Sequence, residues 1–171
     1  RHARRLKGQN PRRLVRLWSR KEYANLTRIH RAGLPCPRPR LHRHHVLVMD
    51  FLGADGWPAP QLREAGIRRR ATWRRAYEQT ASILHGLHRC ARLVHADLSE
   101  FNLLWHDRRV WVIDVGQAVE VTHPRAAAFL LSDCVNVSRF FARQGVAVAE
   151  PAELAALVSS ADVPSVFRPR G

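Results

Sequence analysis

Asp97, Asn102 and Asp114 are the residues of this sequence best suited to chemistry. An aspartate, an asparagine five residues on and a further aspartate closing a hairpin make a minimal set for phosphoryl transfer with a divalent ion. Mg2+ is a hard cation that takes few protein oxygens. One amide oxygen (Asn102) and one carboxylate (Asp114) suffice, and positions stay open for water and phosphate. Asp97, free of the metal, can accept the proton of an attacking hydroxyl or orient a water. Any one of the three alone would read as a loop cap or a strand end; the spacing sets them apart.

The elements that must place these groups are legible too. Leu103–Trp105 and Val110–Ile113 are short apolar runs separated by His106, Asp107, Arg108 and Arg109, the pattern of a β-hairpin. The midpoint of 102 and 114 falls at 108, inside the turn, so antiparallel pairing is expected to bring Asn102 and Asp114 together at the open end. Asp97 lies in the loop leading to that end, where His95 and the backbone around Ala96 can hold it.

Upstream, Asn10 followed by Pro11 predicts a helix start. Val15, Trp18, Leu26 and Ile29 recur at helical spacing until Gly33 and Pro35 stop the pattern. Glu22 falls on that stripe. It is the only acidic residue before Asp50, among Arg12, Arg13, Arg16, Arg20 and Lys21. A carboxylate turned inward needs a cationic partner, and a local arginine is one candidate. The segment LPCPRPRLH reads as extended and HHVLVMDFL as a buried strand. His42, His44 and His45 read as solvated loop residues, since the strand after them offers no further metal ligand. Gly53, Gly56, Pro58 and Pro60 punctuate a connector, and a second helix from about Ala71 to Cys90 carries Trp73, Tyr77, Thr80, Leu84 and Leu87 on one side. Thr122, His123 and Pro124 open a third helix with Ala126, Leu130, Asp133, Cys134, Val137 and Phe141 at helical spacing. Asp133 on that face again needs a partner. Pro151 to Ser159 adds a short helix.

Composition excludes disorder and collagen: 171 residues are 46% hydrophobic and 25% charged, the size and balance of one globular domain. No apolar run approaches the roughly 20 residues of a membrane span, and RHARRLKGQN is followed by no signal-peptide core. Cys36, Cys90 and Cys134 show no paired spacing, so a soluble intracellular chain in a reducing compartment is expected. A net charge of +15, from 29 Lys+Arg against 14 Asp+Glu, suggests a polyanionic partner such as RNA. Lys7 and Lys21 are the only lysines, and biased codon usage would give the same arginine skew without a binding role. The start at Arg1 and the lack of a clear stop after PSVFRPRG suggest a fragment.

The run His95-Ala96-Asp97-Leu98-Ser99-Glu100-Phe101-Asn102, followed by Ile113-Asp114-Val115-Gly116-Gln117, resembles the RIO family of atypical protein kinases and ATPases. Lys21-Glu22, Asn25-Leu26, Ala32 to Pro37, Val46 to Met49, Phe51-Leu52-Gly53, Pro58-Ala59-Pro60 and Asp133-Cys134 with Asn136-Val137 agree in order, so the likeness runs from about residue 10 to 148. Trp105, Val110-Trp111, Val119-Glu120 and Thr122-His123-Pro124 look more like the RIO-3 branch than the RIO-1 branch.

The resemblance implies an α+β, protein-kinase-like fold, mainly the C-terminal lobe with a truncated N-terminal lobe. Residues 1–47 would be the small-lobe remnant, 48–148 the hinge and large lobe, and 149–171 a C-terminal tail. It implies ATP and Mg2+ as cofactors, with Asp97 as catalytic aspartate and Asn102 and Asp114 as magnesium ligands. Asp114 would also be where some relatives take up a transient acyl phosphate. Asp50 and Leu52 would offer hinge backbone groups to adenine, with Met49 behind the base. Glu22 would pair with the ATP-binding lysine, which explains a carboxylate on an apolar stripe better than a local arginine does. Partners implied are a protein substrate or the maturing small ribosomal subunit, with RNA contact through the arginine-rich surface, no membrane, and a cytoplasmic location. The sequence departs from the family in having no glycine-rich phosphate loop or strand lysine before the first helix. Lys7 is too close to the helix to be that lysine, so weak or no activity is expected from this chain alone. Gly116 stands where relatives often have Ser. Two other readings remain: a small-molecule phosphotransferase of the aminoglycoside or choline kinase type, disfavoured by Ser99-Glu100-Phe101 and Gly116-Gln117, and a non-catalytic arginine-rich module that binds RNA.

Overall fold

A computed structural model describes residues 11–161; Lys7, the Asn10 cap and the chain after Ala161 lie outside the described residues. Helix α1 spans Pro11–Arg31, and its last turn carries Arg28, His30 and Arg31, cations that complement the carbonyl end of the helix dipole. Gly33, at φ 72°, ends it. Its N–H donates to the His30 carbonyl and that of Leu34 to the Ile29 carbonyl, the paired closure that a left-handed residue makes possible. The C-terminal half of α1 is anchored, with Leu26 and Ile29 fully buried. The N-terminal half departs from the expected stripe: Val15 and Trp18 are 44% and 58% exposed.

Strands β1 (Pro39–Arg43) and β2 (Val46–Met49) pair antiparallel and pack on α1. The expected strand is there, but it is not buried. Val46, Val48 and Met49 are exposed, because among the described residues the hairpin pairs with no third strand and is covered only on the α1 side. β2 also runs across the 47/48 boundary drawn above. His44 and His45 form the exposed turn, as expected. His42 instead sits within β1, half-buried, with its Nε2 3.0 Å from Ser19 Oγ. The Gly/Pro connector holds a further small hairpin, β3 (Gly53–Ala54) with β4 (Trp57–Pro58). Its turn, Asp55-Gly56, has both residues at positive φ, the type I′ geometry that suits a two-residue hairpin loop.

Helix α2 (Arg70–Arg89) buries Trp73, Thr80, Leu84 and Leu87, the predicted stripe, with Tyr77 half-buried beside them. β5 (Leu93–Val94) pairs with β8 (Val119–Glu120), and β6 (Leu103–His106) with β7 (Arg109–Val112). Helix α3 (Ala126–Arg143) packs its apolar face on α2 and β5. Helix α4 (Pro151–Ser159) lies across α2 and α3, with Leu154 and Val158 fully buried. The stretch grouped above as a tail is therefore part of the packed core at least through α4. The core is one continuous cluster from Leu26 to Val158.

Candidate active site

Asn102 and Asp114 flank the β6–β7 hairpin, Asp97 lies in the loop after β5, and Glu22 sits in the middle of α1. The β6–β7 ladder pairs Leu103 with Val112 and His106 with Arg109, around a two-residue turn at Asp107-Arg108, both left-handed. This register is one residue off the expected one. Asn102 stands opposite Ile113, whose N–H donates to the Asn102 carbonyl at 3.0 Å, and Asp114 is the next residue out. The turn centres between 107 and 108 because two-residue loops match strand twist. Asp114 then turns the chain, at φ 56°, a conformation a non-glycine residue holds only when its surroundings enforce it.

Those surroundings are visible. The residue after Asp114, Val115, is buried, and its carbonyl accepts the Asn25 amide of α1 at 2.8 Å. Lys21 donates to the Gln117 carbonyl at 3.3 Å. Before Asp114, the Ile113 carbonyl accepts from His95 Nε2 at 3.2 Å, which fixes the proton on that nitrogen. Burial lowers the His95 pKa, so the ring is neutral. His95 therefore ties the loop bearing Asp97 to the strand bearing Asp114.

Asp133 does more. It is 1% exposed, and its two carboxylate oxygens accept the N–H groups of Ala96 at 2.9 Å and Leu98 at 2.8 Å, on either side of Asp97. Ala96 is left-handed, at φ 68°, so the carboxylate clamps a strained backbone. Burial pushes the Asp133 carboxyl up to about 6 despite those two bonds. Asp133 and Asn25 were not assigned to the site from sequence. For Asp133 the signal was an acid on the apolar face of a helix; for Asn25 only a place in a motif.

Asn102 is half-buried and donates its Nδ2 to the Asp97 backbone carbonyl at 2.8 Å. A carbonyl only accepts, so the amide oxygen of Asn102 is its uncommitted atom. Asp97 and Asp114 expose their carboxylates. Glu22 closes the other side: a Cβ on Gly116 would lie 3.9 Å from Asp114 Oδ1 and 3.9 Å from Glu22 Oε2. Among the residues whose side chains are described no cation lies within 4 Å of Glu22, so Arg16, Arg20 and Lys21 are not its partners. Burial raises its pKa, and the Asp114 charge raises it further.

The residues expected as a hinge, Asp50 and Leu52, lie apart from this cluster in sequence, after β2. The Asp50 N–H donates to the Arg38 carbonyl and the Leu52 carbonyl accepts from Ala59, which leaves the Asp50 carbonyl and the Leu52 N–H without a backbone partner among the described residues. The Asp50 carboxylate is held by Arg40, which lowers its pKa. Met49 is 37% exposed. Asp50, Phe51 and Leu52 also border a cleft of about 380 Å³ with Arg38, Arg109 and Trp111.

The RIO domain model matches residues 1–154. The chain belongs to the RIO family. It is 51% identical over 139 residues to the serine/threonine-protein kinase RIO1 of Caenorhabditis elegans, covering 81% of this chain and 27% of that protein. It is 50% identical over 137 residues to human serine/threonine-protein kinase RIO3, covering 80% of this chain and 26% of that protein. The chain thus spans about a quarter of the length of these relatives, and the two identities do not separate the RIO-1 and RIO-3 branches. Among solved structures, the Rio2 kinase from Chaetomium thermophilum superposes with a TM-score of 0.67 at 24% identity, over 90% of this chain and 49% of that one. Its complex with ADP/Mg2+ and phosphoaspartate gives 0.65 at 23% identity, covering 90% of this chain and 48% of that one. The fold is therefore that of the RIO kinases, protein-kinase-like, as the sequence implied. Membership removes the aminoglycoside and choline kinase reading.

Proposed function

We propose that this RIO chain carries the phosphoryl-transfer half of an ATP- and Mg2+-dependent serine/threonine kinase or ATPase. The observation that carries the reading is the Asn102 amide. Its nitrogen is spent on the Asp97 carbonyl, so its oxygen is presented at the end of the hairpin from which Asp114 emerges. One amide oxygen and one exposed carboxylate, from Asn102 and Asp114 at the open end of the same hairpin, are the hard oxygen donors that Mg2+ takes from a protein while water and phosphate fill its other positions. Asn102 and Asp114 would hold Mg2+, and bound Mg2+-ATP would supply the transferable phosphoryl group and offset its charge.

The chain's own residues do the rest. Asp97 keeps an exposed carboxylate within its loop, able to accept a hydroxyl proton at one oxygen. Asp133 and His95 hold the backbone on both sides of it, so the carboxylate is preorganised. The free Asp50 carbonyl and Leu52 N–H match an acceptor and a donor for the edge of adenine. Glu22 would receive a lysine that offsets its charge. The protein substrate, a role on the maturing small ribosomal subunit, RNA contact through the arginine surface and a cytoplasmic location belong to this same proposal. No described helix is long and apolar enough to cross a membrane.

Calorimetric titration with ATP tests it. Affinity should be higher with Mg2+ than without, and Asp114→Ala should abolish the difference. A magnesium-dependent gain that persists in Asp114→Ala overturns the assignment.

A further inference from the structure

A second cleft, of about 230 Å³, lies between the loop that follows Asp97 and the C-terminal half of α3. Ser99, Glu100 and Phe101 form one wall; Asn136, Phe140, Arg139 and Arg143 form the other. Arg139 and Arg143 are one helical turn apart, so their side chains lie on the same face of α3. Both are exposed, and neither has a carboxylate within 4 Å among the described residues, Glu100 included. Pairing is the exception among the described arginines, limited to Arg28 with Glu120, Arg40 with Asp50, Arg63 with Glu64 and Arg74 with Glu78, so what sets Arg139 and Arg143 apart is the cleft they share. Two unpaired guanidiniums against one carboxylate leave the cleft net positive. Phe140, 4% exposed, adds an apolar surface for an aliphatic stem.

The cleft is also tied to the reaction centre. Ser99 is two residues from Asp97, no more than about 7 Å along the chain. The Asn136 amide donates to the Leu98 carbonyl at 3.1 Å, so the α3 wall and the loop bearing Asp97 are held as one unit. Asp97 does not itself line the cleft, but a side chain flanking a hydroxyl held at Asp97 has the length to reach it.

We infer that the cleft is a specificity subsite for an acidic side chain, Asp or Glu, flanking the hydroxyl of a polypeptide substrate, with Arg139 and Arg143 as its cationic wall. A carboxylate bridged by two guanidiniums makes short bonds between full opposite charges, whereas an amide offers them one neutral oxygen and a lysine offers no acceptor. The inference rests on the phosphoryl-transfer reading for its substrate class, and its test separates the two.

Fluorescence anisotropy would compare serine peptides whose flanking residue is Glu, Gln or Lys. Because the whole chain is strongly basic, Arg68→Ala/Arg70→Ala serves as a control with the same charge loss away from the cleft lining. The Glu peptide should bind at least about tenfold tighter than the Gln peptide. Arg139→Ala/Arg143→Ala should remove that preference while the control keeps it, and Arg139→Glu/Arg143→Glu should favour the Lys peptide. Magnesium-dependent ATP affinity should be unchanged in all variants. Equal affinity for Glu and Gln peptides, or equal losses in the control, overturns the subsite. Loss of binding to a homopolymeric RNA, with the peptide preference intact, likewise overturns it in favour of a nucleic-acid surface. If wild type prefers the Glu peptide yet shows no magnesium-dependent ATP binding, the phosphoryl-transfer reading fails and the acid site stands.

Discussion

Replacing Asp133 with Asn gives the sharpest test of how the loop bearing Asp97 is held. The carboxyl of Asp133 is raised from 3.8 to about 6 because burial penalises its charge more than its two backbone bonds favour it. The folded state therefore holds this proton more tightly than the unfolded state. The stability this contributes is fully present below about pH 4 and is lost as pH rises through about 6. The interval corresponds to about 3 kcal/mol. Asparagine keeps the shape and is neutral like the protonated acid, so near pH 4 Asp133→Asn should be less stable than wild type only by the one backbone bond it cannot make, about 0.5–1.5 kcal/mol. Above pH 7 the balance should have moved toward the variant by up to about 3 kcal/mol, which leaves it the more stable of the two. That gain should come with a looser loop, since an amide nitrogen cannot accept and one of the Ala96 and Leu98 N–H groups loses its partner. Urea unfolding of both proteins at several values between pH 4 and 8 gives the difference directly, other titrating groups cancelling. A difference that is flat with pH, or a variant destabilised at pH 7.5, would refute the reasoning.

Asn102→Ala removes one half-buried hydrogen bond, so stability should fall by only about 0.5–1.5 kcal/mol in urea, while calorimetry should show the magnesium-dependent part of ATP affinity lost. Glu22→Gln removes a half-buried carboxylate whose raised pKa means that its ionised form opposes folding. The variant should match wild type near pH 4 and melt at the same temperature or slightly higher at pH 7, a gain below about 1 kcal/mol after solvent screening. A clear loss of stability at pH 7 would mean that Glu22 has a cationic partner. Leu154→Ala should cost about 2–5 kcal/mol in urea unfolding, because Leu154 is fully buried where α4 meets α2 and α3. A cost below about 1 kcal/mol would show α4 to be detachable.

The parts of the fold legible in sequence are those whose determinants are local. The α2 stripe of Trp73, Thr80, Leu84 and Leu87 appears as read, because a helical face long enough to repeat leaves one interpretation. The β6–β7 hairpin was legible from two apolar runs and a polar turn. Its register lies one residue from the one the spacing predicts, since only the left-handed pair Asp107-Arg108 fixes the centre of the turn. Burial was less legible. Val46 to Met49 reads the same whether its strand is covered on two faces or on one, and Val15 and Trp18 continue a helical stripe that the core does not follow.

By itself the sequence determined the family and the fold, through the Asp97, Asn102 and Asp114 spacing and the motif around it, and marked those three as the candidates for chemistry. Tertiary structure decided what holds them. Asp133 reaches Ala96 and Leu98 across more than thirty residues, and Asn25 reaches Val115 across ninety. Glu22 was a lone acid among arginines in sequence and became a neighbour of Asp114 in space. Spacing along a chain constrains what lies within a turn or a strand pair, whereas a buried carboxylate takes whichever donors packing brings to it, and packing is a property of the whole core.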